Sequence, residues 1–229
     1  INKTDSWILN DYESGSGLEY AYDLGLWGYI NGANLIIKNE DFSANRSYSL
    51  PIELGTEATD LGYNGGNEWY FLVNNFTGGN IYILRWNLTD NNNETYDLAG
   101  YNYTVASSLE YNSDDGLFYL FAVTQEMSTS VEKFNSSFER QGWINVPSLG
   151  YPAKIERAAG VWYITENGTG VHQLRKCDEN FNCFWPTWDF EDDAAGIEYT
   201  SDDERWYYAS KEQGEIYQFE IYRERGFGY

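Results

Sequence analysis

The sequence is short of cations, of helix signals and of the residues that build most catalytic centres. Only 14 Lys and Arg stand against 36 Asp and Glu, giving a formal net charge of −22. That balance excludes nucleic acid as a partner, because too few cations remain to displace phosphate counterions. It also argues against binding to anionic lipid. No apolar run approaches the roughly 20 residues that a membrane-spanning helix needs, so no membrane insertion is expected. The only histidine, His172, has no Ser or Cys nucleophile motif near it in sequence and reads as a structural residue. The two cysteines, Cys177 and Cys183 in KCDENFNCF, are too far apart for a CxxC redox motif, and no second pair completes a zinc site. A disulfide stapling a hairpin in an oxidising compartment is the expectation, with two unpaired thiols as the alternative. The chain begins at Ile1 rather than Met and reads as a processed product whose signal peptide has been removed.

Tyr, Trp, Phe and Gly are abundant, and they favour strands joined by tight turns. Asn-x-Ser/Thr is over-represented: Asn2, Asn45, Asn75, Asn87, Asn93, Asn102, Asn135 and Asn167 make eight sequons. The composition alone would give roughly three. The excess points to a secreted protein bearing N-linked glycans.

The chain also repeats. Leu18-Glu19-Tyr20, Leu61-Gly62-Tyr63, Leu109-Glu110-Tyr111, Ile155-Glu156-Arg157 and Ile197-Glu198-Tyr199 recur at 42 to 48 residues. An aromatic run follows each anchor after a polar turn: LWGYI, EWYFLV, LFYLFAV, VWYIT and RWYYA. A third strand then reads NLIIKN, NIYILRW, SVEKFN, GVHQLRK and EIYQFEIY, and a fourth SYSLPIEL, TYDLAG, GWINVP and FWPTWDF. The second strands are almost continuously apolar, so both of their faces should be buried, as happens when blades pack face to face around an axis. The period and composition predict an all-β fold, a five-bladed β-propeller of four-stranded antiparallel blades. Its blades should cover about 17–55, 58–100, 105–149, 152–190 and 194–225, forming one domain over 1–229.

The last repeat supplies only three strands before the chain ends. Its fourth should come from the N-terminus, around residues 5–12 and centred on Ser6-Trp7-Ile8-Leu9-Asn10, closing the ring and removing an unpaired edge. With its sequons and irregular aromatic-rich blades, this pattern loosely resembles the olfactomedin domains among five-bladed propellers. The resemblance implies fold and an extracellular setting, not chemistry, and the disulfide by which those domains join distant parts of the chain has no equivalent here. Ser113-Asp-Asp-Gly116 is similar to the Asp-box of sialidases, but its glycine is one residue early and it lies between first and second strands.

The anchors place Glu19, Glu110, Glu156 and Glu198 on first strands lining the central channel. Carboxylates gathered there must be protonated, paired with Arg157 or Lys154, or bridged by a hard cation such as Ca²⁺, for which Glu19, Glu110 and Glu198 are the candidate ligands. Solvent-facing glutamates or inter-blade hydrogen bonds are the structural alternative. Glu19, Asp60, Glu110 and Glu198 could also supply the carboxylate pair of a glycosidase. Two features oppose that: the positions recur from blade to blade, and Asn75, Asn102 and Asn167 put sequons on one face, where enzymes commonly build their pocket. The acidic turns Asn112-Ser-Asp-Asp-Gly116 and Ser201-Asp-Asp-Glu204 read as solvated turns or as calcium-bridged subunit contacts. Trp143, Trp185 and Trp188 could stack on sugar rings, although inter-blade packing accounts for most aromatics. The expected function is a secreted structural or interaction module contacting other extracellular proteins or copies of itself, as in a matrix, surface coat or filament. A glycan-binding lectin is the alternative, followed by a carbohydrate-active enzyme. No cofactor is required, and Ca²⁺ is the candidate ion.

Overall fold

The computed structural model describes residues 2–8, 16–43, 45–75, 79–146, 154–168, 171–190, 194–201, 204–210 and 213–221. Strand β1 (Asn2–Ile8) precedes four consecutive meanders. These are β2 (Ser16–Ala21), β3 (Leu26–Asn31), β4 (Asn34–Asn39) and β5 (Asn45–Ser49); then β6 (Thr56–Tyr63), β7 (Glu68–Asn75), β8 (Asn80–Asn87) and β9 (Asn92–Asp97). The third meander is β10 (Tyr103–Asn112), β11 (Leu117–Thr124), β12 (Thr129–Phe134) and β13 (Arg140–Asn145), and the fourth is β14 (Lys154–Ala158), β15 (Val161–Gly168), β16 (Val171–Cys177) and β17 (Cys183–Asp189). The chain ends with β18 (Ala194–Thr200), β19 (Arg205–Ser210) and β20 (Glu215–Glu220). The strands form five four-stranded antiparallel sheets, a five-bladed β-propeller, and the fifth sheet has the order β1-β20-β19-β18.

Ring closure therefore joins the two ends of the chain, with Trp7 opposite Ile216 and Lys3 opposite Phe219. The closing strand starts earlier than its sequence pattern suggests. It covers Asn2–Ile8, while Leu9 and Asn10 fall outside the described residues. The other outer strands are displaced in the same sense: β5 ends at Ser49 rather than running through SYSLPIEL, and β9 covers NNETYD. Outer strands have one exposed face, so their apolar residues mark where the chain turns back to the core as much as where it pairs. Leu50 and Leu98, just past β5 and β9, are buried for that reason.

Both faces of the second strands are buried as expected: all six central residues of β7 and of β11 are buried. Five hydrophobic clusters result, each filling one junction between adjacent blades. The junction of the fifth and first blades contains Trp27, Tyr29, Phe42 and Tyr207, with Trp7 of the closing strand packed against them. The inner strands touch in ring order, β2 to β6 to β10 to β14 to β18 and back to β2. The register slips at Ser16/Leu18, Ala58/Asp60, Ala106/Ser108 and Ala194/Gly196, a bulge in the inner strand of four blades where the axis narrows.

Turns between third and fourth strands share a device. Phe42, Phe138 and Phe181 take positive φ of 57°, 54° and 56°, and each tucks a buried ring into a junction. Bulky residues rarely adopt this conformation. Here the buried ring and local bonds hold it: Phe138 N donates to Asn135 O at 2.9 Å and Phe181 N to Asp178 O at 3.0 Å. The Cys177–Cys183 disulfide spans the turn that carries Phe181.

Candidate functional site: an acidic cup on the propeller axis

The first-to-second strand turns surround a cavity of about 290 Å³ on the axis. Four inner strands each project one glutamate into it: Glu19 from β2, Glu110 from β10, Glu156 from β14 and Glu198 from β18. They are 8, 9, 3 and 7 % exposed, so four carboxyl groups share one desolvated space. In the second blade Gly62 occupies the equivalent place, where a Cβ would make ordinary contact with Leu109 O at 3.4 Å.

The glutamates also lock the ring. Each carboxylate accepts a backbone N–H from the following blade: Glu19 from Tyr63, Glu110 from Arg157, Glu156 from Tyr199 and Glu198 from Tyr20. Gly62 cannot make the remaining link, and Asp60, two residues earlier, makes it one layer deeper. Asp60 Oδ2 accepts from Leu109 N at 2.9 Å. In that same lower layer Ser108 Oγ accepts from Ile155 N at 3.0 Å. Inter-blade hydrogen bonding, one of the alternatives left open by the sequence, is present at all four glutamates.

Burial pushes all four glutamates well above the usual carboxylate range, and mutual repulsion adds to it. Glu198 and Glu110 raise Glu19; Glu110, Glu198 and Glu19 raise Glu156. Burial also raises Asp60, opposed by Lys154, whose ammonium lies 3.1 Å from Asp60 Oδ1. Lys154 thus pairs below the glutamate layer, while Arg157 at the rim pairs with Asp114 at 3.0 Å. Beneath the glutamates the axis narrows to a void of about 10 Å³.

An aromatic rim frames the cup. The residue after each anchor position is Tyr20, Tyr63, Tyr111, Arg157 or Tyr199, and all five line the cavity. Each faces a cross-strand aromatic partner: Trp27, Trp69, Phe118, Trp162 and Trp206. Ring centroids for the four tyrosine pairs lie 4.8, 5.0, 5.0 and 5.1 Å apart, and the Arg157 guanidinium sits 5.3 Å from the Trp162 ring. The rim is formed by the last residue of each anchor triplet, a role the sequence pattern alone did not reveal.

Other predicted residues fall elsewhere. Glu19, Glu110 and Glu198, the candidate calcium ligands, do meet, but no group of three or more His, Cys, Asp or Glu among the described residues is arranged to hold a metal ion. His172 is half-buried on β16. Trp143 is 57 % exposed on the outer strand β13, Trp188 packs against Tyr163 with centroids 6.4 Å apart, and the Trp185 side chain is outside the described residues. In the acidic turn of the third blade Asp114 is paired with Arg157, and Asp115 accepts from Tyr119 Oη at 2.7 Å. Asp202 and Asp203 of the fifth blade lie outside the described residues.

Among the sequons, Asn75 ends a second strand and Asn87 a third, Asn93 lies on an outer strand, Asn102 links two blades, and Asn135 follows a third strand. The side chains of Asn2, Asn45 and Asn167 lie outside the described residues. The cup opens between first-to-second strand turns, on the face opposite Asn75 and Asn102. Glycans there would not crowd it, so that argument against substrate entry does not apply to this cavity.

No family model matches the chain, and no curated protein matches it. Solved structures match in shape. A luciferin-regenerating enzyme aligns with TM-score 0.61 at 9 % identity over 93 % of this chain and 94 % of its own. A chain of a nidogen/laminin complex gives 0.57 at 9 % over 86 % and 73 %, and a chain of a mitotic checkpoint complex 0.55 at 8 % over 97 % and 96 %. Identities this low, shared among proteins of unrelated function, establish the propeller fold alone, and the olfactomedin resemblance remains one of pattern.

Proposed function

We propose that this protein is a secreted, N-glycosylated propeller that serves as a structural or interaction module of an extracellular matrix, surface coat or filament. The observation that carries the reading is where the sequons sit. Asn75, Asn102 and Asn167 lie at second-to-third strand turns or on a link between blades, the other five lie on outer strands or beside third-to-fourth strand turns, and none falls in a first-to-second strand turn around the axis. Glycans would then coat one face and the outer edge of the other, and leave the mouth of the cup around the axis free for contact. The Cys177–Cys183 bridge suits the same oxidising compartment.

Catalysis is not part of this reading. The glutamates a glycosidase would recruit are committed to the next blade's backbone, repeating around the ring as a structural element does. Expression through a eukaryotic secretory pathway, with mass spectrometry of glycopeptides, tests the extracellular half: unoccupied sequons would sink it. Light scattering of the glycosylated protein at high concentration, with and without Ca²⁺, tests self-association, and a strict monomer in both would remove the filament version. Turnover of chromogenic glycosides that disappears in E110Q would replace the reading with an enzymatic one.

A further inference from the structure

The geometry points to the axial cup as a binding site for a small organic dication, an alkyl chain carrying two primary ammonium groups. Four observations converge on that chemistry. The cavity of about 290 Å³ is close to the lower size limit of small-molecule sites. Its wall carries four buried carboxyl groups, while the nearest cations are already engaged, Lys154 with Asp60 and Arg157 with Asp114. Glu156 is 3 % exposed, lines the cavity and shares a side-chain hydrogen bond with Glu110, while its Oε2 has no other partner. A buried carboxylate oxygen left without a donor is costly, and the open side of Glu156 is the cavity.

The shape suits an organic cation. Calcium gathers six to eight oxygens at about 2.3–2.6 Å around one point. Here the carboxyl groups surround a space, and no trio among the described residues converges as a metal site requires. An ammonium group donates up to three hydrogen bonds and can bridge separate carboxylates. Above the glutamates, Tyr20, Tyr63, Tyr111 and Tyr199 offer ring surface to a methylene chain and to a second ammonium near the mouth. An exposed Tyr22 extends that wall beside Tyr63, their ring centroids 6.1 Å apart. This inference does not depend on secretion or glycosylation.

Calorimetric titration of the intact protein near neutral pH, with 1,4-diaminobutane as probe, decides it. The diamine should bind at one site and raise the melting temperature, 1,4-butanediol should do neither, and E156Q should weaken diamine binding by about tenfold or more. Gln at 156 keeps an acceptor for Tyr199 N, so the variant should fold; if it does not, E198Q takes its place. Failure of the diamine to bind, equal binding of the diol, or undiminished affinity in a folded variant overturns the proposal. So does Ca²⁺ binding that the same variants abolish while the diamine remains inert.

Discussion

Lys154 Nζ lies 3.1 Å from Asp60 Oδ1 across the axis, joining the fourth blade to the second, and also donates to Thr59 O at 2.7 Å. Both side chains are largely buried, at 11 and 7 % exposure. Removing one member leaves the other as an uncompensated buried charge, which costs more than the pair itself contributes. K154M should therefore destabilise the protein by about 3 kcal/mol, and adding D60N should recover much of the loss. Urea denaturation of the single and double variants checks this; equal stability of K154M and wild type would mean that the pair does not hold the axis.

The glutamate ring sets a pH dependence. Glu19, Glu110, Glu156 and Glu198 hold protons more tightly when folded than the ordinary value of 4.5. The charged groups facing them are Asp60 on β6, Asp114 in the turn after β10, and Lys154 and Arg157 on β14. A folded value raised above the unfolded one adds stability below the unfolded value and loses it as pH rises through the folded value. The melting temperature without ligand should fall as pH rises from about 4.5 to neutrality. Net negative charge pushes the same way, so E19Q/E156Q is the control. It should flatten the slope and melt higher than wild type near pH 7, and an unchanged slope would assign the effect to the surface.

Glycine is required where the fifth blade meets the first. A Cβ on Gly196 would lie 2.6 Å from Gly17 C and would also strike Leu18 N, both backbone atoms that cannot rotate away. G196A should cost about 3 kcal/mol by forcing two inner strands apart. Gly142, in the outer strand β13, has nothing within 4 Å of its Cβ position. G142A should be neutral or slightly stabilising, by about 0.5 kcal/mol, through the unfolded chain. Thermal melts of the two variants should diverge.

Ring closure rests on β1. The Trp7 ring lies 4.8 Å from Phe42 and 6.1 Å from Tyr207, tying the N-terminal strand to the first and fifth blades. Lys3 Nζ sits 3.7 Å from the Tyr217 ring centroid on β20. W7A should cost about 2 kcal/mol, less than a fully buried Trp, because Trp7 is half-buried. Deleting residues 1–8 exposes the edge of β20 and should lower the melting temperature sharply and promote aggregation. A truncated protein that melts unchanged would contradict the closure.

Much of this was legible along the chain. The 42- to 48-residue recurrence of the anchors follows the blade repeat, and the apolar second strands followed from burial on both faces. The opening strand could be assigned to the last blade because that blade has only three strands of its own. Outer strands were harder: with one face in solvent their apolar pattern is weak, and β5 and β9 sit several residues before the stretches that look most strand-like. The disulfide was readable from spacing, because Cys177 and Cys183 bracket a short turn.

The sequence by itself determined the repeat, the blade count, the closing strand and the convergence of one glutamate from each of four blades, because a period of two along a strand fixes which side chains share a face. The tertiary structure decided what that convergence does. Whether a carboxylate faces water, a metal or a neighbouring strand depends on distances between residues about 45 apart in the chain, and the register between blades sets those distances. The same register gave Asp60 the link that Gly62 cannot make, paired Lys154 across the axis, and left Glu156 Oε2 facing an open cup.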